Sequence, residues 1–345
     1  MRMRRRGRLW VPEAPQLMLN RHRPIRGLGQ RIGVSGEWSL ELIHARTGDV
    51  TQSFKFPNLI TNVGLDALSG EYPNGLGSAL SDSTQYSVFS RCFVGTGNAE
   101  PAITDSELQN PIANTSNTGG FGFETGLVDN NTRCRYRKTW VFGTSEANGN
   151  IAEVGCGVNH GSNPFNGTVF TRQLIRDALG EPTVLVKTSE YQLRVVYELS
   201  LWLPLGDQVY EMNINGATVE VTSRLENLAY WNRTHGLVAG EQQYGLSTQP
   251  IGPEGSNLSG IVGSAFTTRS TYVPGTYQVE WEGVWGPSVA NGGPYISFSS
   301  RYQTSGNPSR TFKVDLSNAP GGGVSKTSDE RFVVEWTRSW GRHEA

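Results

Sequence analysis

The chain has 345 residues, a mass of 37.8 kDa, 18% charged residues, 42 glycines and a net charge of −1. An average soluble chain carries about 25% charged residues and about 7% glycine, so this composition excludes a helical bundle, a coiled coil and an acidic disordered chain. It favours many short strands joined by turns.

The charge is unevenly spread. Residues 1–31 hold nine arginines and one acid, Glu13, a balance of +8 that leaves −9 for residues 32–345. Met1–Arg6 is followed by no long apolar stretch, so the start does not read as a secretory signal. Arg2, Arg4, Arg5, Arg6 and Arg8 precede Trp10, Val11, Leu17, Met18 and Leu19, with prolines at 12, 15 and 24. Such a basic, proline-broken segment with large apolar anchors reads as an extended N-terminal arm, with a free tail as the alternative. Docking on an acidic protein neighbour accounts for both halves of the charge split. Binding of nucleic-acid phosphate by the arginines is the competing reading.

Alternation begins after the arm. Trp38, Leu40 and Leu42 fall on one face of a strand, Thr47-Gly48-Asp49 turns, and a return strand runs near Val50–Phe56. Residues 62–69 read as one short helix capped by Thr61 or Asn62. Residues 70–88 and 98–131 read as long loops rich in Gly, Asn, Ser and Thr. Cys134, Tyr136, Trp140 and Phe142 share a strand face opposite Arg133, Arg135 and Arg137, and Asn148-Gly149-Asn150 is expected to turn that strand into a hairpin with Ile151–Val158. The clearest strand is Gln192–Leu203, with Leu193, Val195, Tyr197, Leu199, Leu201 and Leu203 on one face. Further strands are expected near 217–224, 276–285, 295–303, 310–316 and 331–340, with 232–268 mostly loop. No fixed-period repeat is visible. The fold expected is mainly β: a basic arm over 1–31, a β-sandwich or jelly-roll-like domain over 32–205, and a second β-rich domain over 206–345.

Signatures of catalysis are missing. The sequence holds no phosphate-binding loop, zinc-protease motif, nucleophile elbow or dinucleotide fingerprint. The five histidines never fall at ligand spacing, and Cys92, Cys134 and Cys156 are too scattered for a zinc site or disulfide scaffold. No cofactor, metal or membrane anchor is expected, and the chain reads as a non-enzyme. Two features have carbohydrate chemistry. Glu280 and Glu282 share a strand face, and paired carboxylates about 5–10 Å apart hydrolyse glycosides. Acids two apart on a strand are also its ordinary solvated face, with Trp281 and Trp285 filling the core behind them. Tyr230 and Trp231, at the start of a long loop, present aromatic rings that stack on a host-surface glycan or bury in a partner.

Several phrases resemble those of tailed-bacteriophage virion proteins. Asn58-Leu59-Ile60-Thr61-Asn62-Val63-Gly64-Leu65-Asp66-Ala67-Leu68 is similar to a phrase of phage tail, fibre-attachment and minor structural proteins. Phe93-Val94-Gly95-Thr96-Gly97 with Pro101, Asp105 and Leu108 resembles the stretch that accompanies it. Glu153-Val154-Gly155, Phe170–Ile175 and Gly180–Thr183 resemble the run that leads into a long strand. The resemblance covers about residues 36–205 and carries no catalytic residue. It implies a virion structural protein on the tail side (tail, baseplate, neck or fibre attachment). Such a protein is assembled in the host cytoplasm as a homo-oligomer with other virion proteins as partners. A capsid decoration protein, a host-glycan-binding protein and a depolymerase are the alternatives.

Overall fold

The computed structural model describes residues 25–69, 80, 87–120, 122–129, 133–158, 168–214, 217–226, 242–304 and 307–343. Among the described residues, eleven strands occupy the first part: β1 Ile25–His44, β2 Val50–Ile60, β3 Arg91–Gly95, β4 Pro111–Thr115, β5 Phe123–Val128, β6 Arg133–Phe142, β7 Gly149–Ile151, β8 Glu153–Gly157, β9 Val169–Leu174, β10 Leu185–Lys187 and β11 Tyr191–Trp202. The helix α1 spans Asn62–Ala67 between β2 and β3. Eleven more strands follow: β12 Gln208–Ile214, β13 Ala217–Leu225, β14 Gln242–Ser247, β15 Ile261–Ser264, β16 Phe266–Arg269, β17 Gln278–Trp285, β18 Gly292–Tyr295, β19 Ser297–Thr304, β20 Asn307–Asp315, β21 Val324–Lys326 and β22 Phe332–Arg342. The chain is mainly β, built on large antiparallel sheets.

The second eleven strands repeat the pairing of the first. Strand order β2-β9-β8-β3-β4 recurs as β13-β20-β19-β14-β15, and β11-β6-β5 recurs as β22-β17-β16. The two-stranded ribbon β10-β7 recurs as β21-β18. Local detail recurs with it. Gly143-Thr144-Ser145-Glu146-Ala147-Asn148-Gly149 and Gly286-Pro287-Ser288-Val289-Ala290-Asn291-Gly292 share five identities in seven, and both alanines take the left-handed conformation at φ 53°. A buried lysine ties each of these loops. Lys187 Nζ donates to Gly143 O at 2.9 Å and Asn148 Oδ1 at 2.8 Å, and Lys326 Nζ donates to Asn291 Oδ1 at 2.5 Å and Pro287 O at 3.3 Å. Thr-Ser-acid follows both lysines. The described strands therefore form a duplicated eleven-strand arrangement. It shows no fixed period because the second copy has shorter loops, so equivalent residues draw closer together in sequence from Gly95 and Ser247 to Lys187 and Lys326.

One long strand serves both units. β1 pairs antiparallel with β11 through Gly33–His44 and with β2 through Gly36–Ile43. Its N-terminal stretch, Ile25–Val34, pairs parallel with β22. Residues 25–31 of the basic segment thus belong to a sheet, while residues 1–24 lie outside the described residues. By the logic of the duplication β22 should pair with β12, as β11 does with β1. Instead β1 occupies that place, and among the described strands β12 pairs with β13 alone.

The core follows from alternation. Trp38, Leu40 and Leu42 of β1 face Leu193, Val195, Tyr197, Leu199 and Leu201 of β11 on one buried side. Layered against them are β8 and β9. A small cavity of about 10 Å³ between Tyr197, Leu199, Cys156, Phe170 and Ile60 marks the seam. The apolar cluster continues without a break into the second unit through Val221, Phe298, Val314, Trp285 and Trp340.

Three expectations are corrected. Ile151–Val158 does not form a hairpin with β6: β7 pairs with β10, and β8 pairs with β3 and β9, because the Lys187-tied loop sends the chain to the other layer. Residues 98–131 contain β4 and β5, and residues 232–268 contain β14, β15 and β16. Those strands are short and rich in Gly, Ser, Thr and Gln, which hides period-two alternation.

Candidate functional site

The phrases Phe93–Leu108, Glu153–Gly155 and Phe170–Ile175 converge on the outer face of β8 and β9, beneath the loop 96–110. Glu153, fully buried, accepts backbone hydrogen bonds from Gly97 N at 3.1 Å, Gln109 N at 3.0 Å and Asn110 N at 2.7 Å. Its Oε2 also accepts from Arg172 Nε at 2.8 Å. Arg172 reaches on to Asp105 Oδ2 at 2.7 Å and Ala99 O at 2.9 Å. Burial works against the guanidinium's charge, and the hydrogen bonds to Asp105 and Glu153 outweigh it, raising the pKa of Arg172. Phe93, Leu108 and Val169 form a small apolar cluster alongside.

The glycines of these phrases have a steric cause. A Cβ at Gly95 or Gly97 would collide with the Glu153 carboxylate, and one at Gly155 would meet Thr171 O and Leu108. The Asn58–Leu68 phrase docks on the same layer. Thr61 caps α1 by accepting from Gly64 N at 3.0 Å and donates its hydroxyl to Phe170 O at 3.1 Å. Asn62 N donates to Ile103 O at 2.7 Å. A Cβ at Gly64 would strike Phe170 O, so only glycine lets the helix approach this closely.

The same helix phrase joins the two units. Asp66 accepts from the Tyr272 hydroxyl at 2.5 Å and from Gly275 N at 2.6 Å. Burial, reinforced by Asp66, raises the Tyr272 pKa, so the phenol stays protonated and donating. Trp340 Nε1 donates to Leu65 O at 2.7 Å, and Arg342 donates to Ile60 O and Asn62 Oδ1. Over Gly33, His343 stacks on Trp202 at 4.3 Å, with the Arg133 guanidinium 5.3 Å from the same ring.

The solvent face of the large sheet carries laced charges. Arg133 pairs with Asp129 and Glu198, Arg137 with Glu124, Arg194 with Glu41, and Lys55 with Glu37. Alternating signs across neighbouring strands leave this face without a field of one sign.

The anticipated site residues fall as follows. Arg2, Arg4, Arg5, Arg6, Arg8, Trp10, Leu17 and Leu19 lie outside the described residues, as do Tyr230 and Trp231. Glu280 is exposed and Glu282 half-buried, on the strand face opposite Trp285. Trp285 is fully buried against Phe332, with ring centroids 5.3 Å apart, so it offers no stacking surface beside the carboxylates. Glu282 faces Glu335 across β17 and β22. All three thiols are buried and free. Burial pushes Cys134 and Cys156 up to about 12 and Cys92 well above its ordinary value, which keeps them protonated and unreactive at neutral pH. Among the described residues no His, Cys, Asp and Glu cluster has the makings of a metal site.

Comparison with protein-family models, with curated proteins and with solved structures finds no match.

The buried node was missed at the sequence level as a unit. Its signal was present in the spacing of glycines around single charges: Gly95 and Gly97 before Asp105, Glu153 before Gly155, and one arginine in an otherwise uncharged strand.

Proposed function

We propose that the chain is a structural component of a tailed-phage virion, on its tail side, and acts by assembly with copies of itself and other virion proteins. The observation that carries this reading is the buried node. Residues of three phage-like phrases meet there, and their polar groups are spent on holding the loop 96–110 and the layer beneath it. Glu153 and Arg172 are saturated by backbone amides, a carbonyl, the Asp105 carboxylate and each other, a chemistry of rigidity rather than of turnover. The charge split supplies the mechanism: the basic N-terminal segment anchors the chain on an acidic neighbouring protein. A rigid, duplicated β body with an anchoring arm suits a part that fixes geometry in a repeating assembly.

The test is to tag the chain at its C-terminus in the strain that carries its gene, purify the particles, and locate the tag by immunogold labelling. Label on the tail in several copies is expected. Label confined to the head would favour capsid decoration, and a chain left wholly in the lysate would overturn the reading.

A further inference from the structure

We propose that Cys92 and Cys156 are a site of oxidative modification: on meeting a small disulfide oxidant such as oxidised glutathione they join in a cross-strand disulfide that locks β3 to β8 beneath the buried node. The proposal goes beyond the assembly reading and does not depend on it.

Sheet register brings the pair together. Cys92 and Cys156 are direct Cα partners across the antiparallel β3 and β8, and both side chains are fully buried in one apolar cluster. Their peptide groups point away from each other. Cys156 N donates to Thr171 Oγ1 on β9, the strand on the far side of β8. Just past β3, Thr96 N donates to Asn110 O, and Gly95 O accepts from Ala152 N. Alternation along β3 then turns the peptide groups of Phe93 toward β8 and those of Cys92 toward β4. A cross-strand pair of this non-hydrogen-bonded kind has its Cα atoms about 4.5 Å apart and its side chains at their closest. Disulfides span Cα separations of about 4.4–6.8 Å, so the bond fits at the tight end of that range. A tight, strained disulfide is readily reduced again. Cys134 faces Leu127 and Leu201 instead, with no cysteine opposite.

In the reduced protein Cys156 Sγ lies 3.5 Å from Thr171 Oγ1, and Cys92 Sγ lies 3.9 Å from Phe93 O. The cavity of about 10 Å³ lined by Cys156 and Thr171 gives the Cys156 sulfur room to change rotamer. Burial keeps both thiols protonated while the layers are closed, and charge on Cys156 would push the Cys92 thiol up further. Exchange therefore proceeds through local opening at β3 and β4, the end of the sheet among the described strands. In the opened state one thiol loses its proton to solvent, and its thiolate attacks a glutathione sulfur. That step expels one glutathione thiolate and leaves a mixed disulfide. The second cysteine, deprotonated in turn, attacks the protein sulfur of the mixed disulfide, forms the Cys92–Cys156 bond and expels the other glutathione thiolate. Two protein thiols have given up two electrons and two protons, and the glutathione disulfide has taken them up as two thiols. Gly95 and Glu153 pair three residues along the same two strands, on the opposite face. The bond thus pins from the inner side the strands that carry the Glu153 node on the outer side.

The test equilibrates the purified full-length chain in glutathione buffers of rising oxidised-to-reduced ratio, with urea kept below the unfolding midpoint so that local opening is sampled. Samples are then unfolded in N-ethylmaleimide and read by intact mass and by peptide mapping without reductant. The oxidised chain should lose two hydrogens and take one alkyl group, on Cys134, where the reduced chain takes three. Mapping should find the peptides of Cys92 and Cys156 linked. The bond should raise the urea midpoint by about 1 M, and dithiothreitol should return it to the reduced value. Cys134→Ser should still form the bond, whereas Cys92→Ser and Cys156→Ser should form none, with circular dichroism as the fold control. Three alkylated thiols at every ratio, a bond that includes Cys134, or one between chains overturns the proposal. A bond that forms between Cys92 and Cys156 but lowers the midpoint overturns the lock.

Discussion

Replacing Glu153 by alanine removes the acceptor around which the loop 96–110 is organised. Three backbone amides and the Arg172 Nε lose their partner, while Arg172 keeps only Asp105 and the Ala99 carbonyl. Gly97 is buried, so its amide is stranded; Gln109 and Asn110 are exposed and recover water. Removing one partner of a buried pair costs about 3–5 kcal/mol, and that range is expected for Glu153→Ala. Glu153→Gln keeps the size but has one acceptor oxygen for two pairs of donors: Gly97 and Asn110 on one side, Gln109 and Arg172 on the other. It should cost about 2–3 kcal/mol, from a stranded donor at about 1–3 kcal/mol. The assay is urea denaturation followed by circular dichroism, with hydrogen exchange at Gly97, Gln109 and Asn110. Faster exchange at these three amides should accompany the lower midpoint. A loss below about 1 kcal/mol for Glu153→Ala, with unchanged exchange, would refute the view that this carboxylate organises the loop.

Lys187→Met and Lys326→Met should each cost about 2–4 kcal/mol, since each ammonium holds an equivalent loop by charged hydrogen bonds, and thermal melts of the two variants should agree within about 1 kcal/mol; a neutral result for one alone would break the functional equivalence of the two loops. The buried thiols bind protons more tightly folded than unfolded, so their contribution is whole below their ordinary value of 9.0 and is lost as pH rises toward about 12. Stability should therefore fall above pH 9 by up to about 1.4 kcal/mol per thiol per unit. A Cys134→Ala, Cys156→Ala variant should flatten that slope in denaturation at pH 8, 9.5 and 10.5. Trp10→Ala should weaken incorporation into particles more than any single change among Arg2, Arg4, Arg5 and Arg6, because buried aromatic anchors outweigh exposed ion pairs of about 0–1 kcal/mol; steep release between about 50 and 200 mM salt with indifference to Trp10→Ala would point to nucleic acid. The purified protein should hydrolyse no capsule or lipopolysaccharide, and activity abolished by Glu280→Gln with Glu282→Gln would overturn that expectation.

Legibility in the sequence followed burial. Where one face is buried and the other wet, as along Trp38–Leu42 and Leu193–Leu201, period two was visible and the strands lie where expected. The helix was legible from its cap: Thr61 and the Gly64 to Ala67 turn needed no tertiary information beyond Phe170 O. β8 and β9 are buried on both faces, so their alternation is erased, and what lies outside β9 depends on the distant loop 96–110. The duplication escaped because identity survives only where backbone or charge geometry demands it, as at Ala147 and Ala290 in the left-handed region or Lys187 and Lys326 over their carbonyls. Elsewhere the copies solve one problem with different residues: Arg172 and Lys313 occupy equivalent places on β9 and β20 and both reach loop carbonyls, yet no sequence comparison would pair them.

The measurement that bears most directly on the account is an averaged map of the particles produced by the strain that carries this gene. A tail-side ring or collar of repeated β density is expected, into which two eleven-strand units per chain fit. Absence of such density from the whole particle, in preparations that contain the rest of the virion, would contradict it.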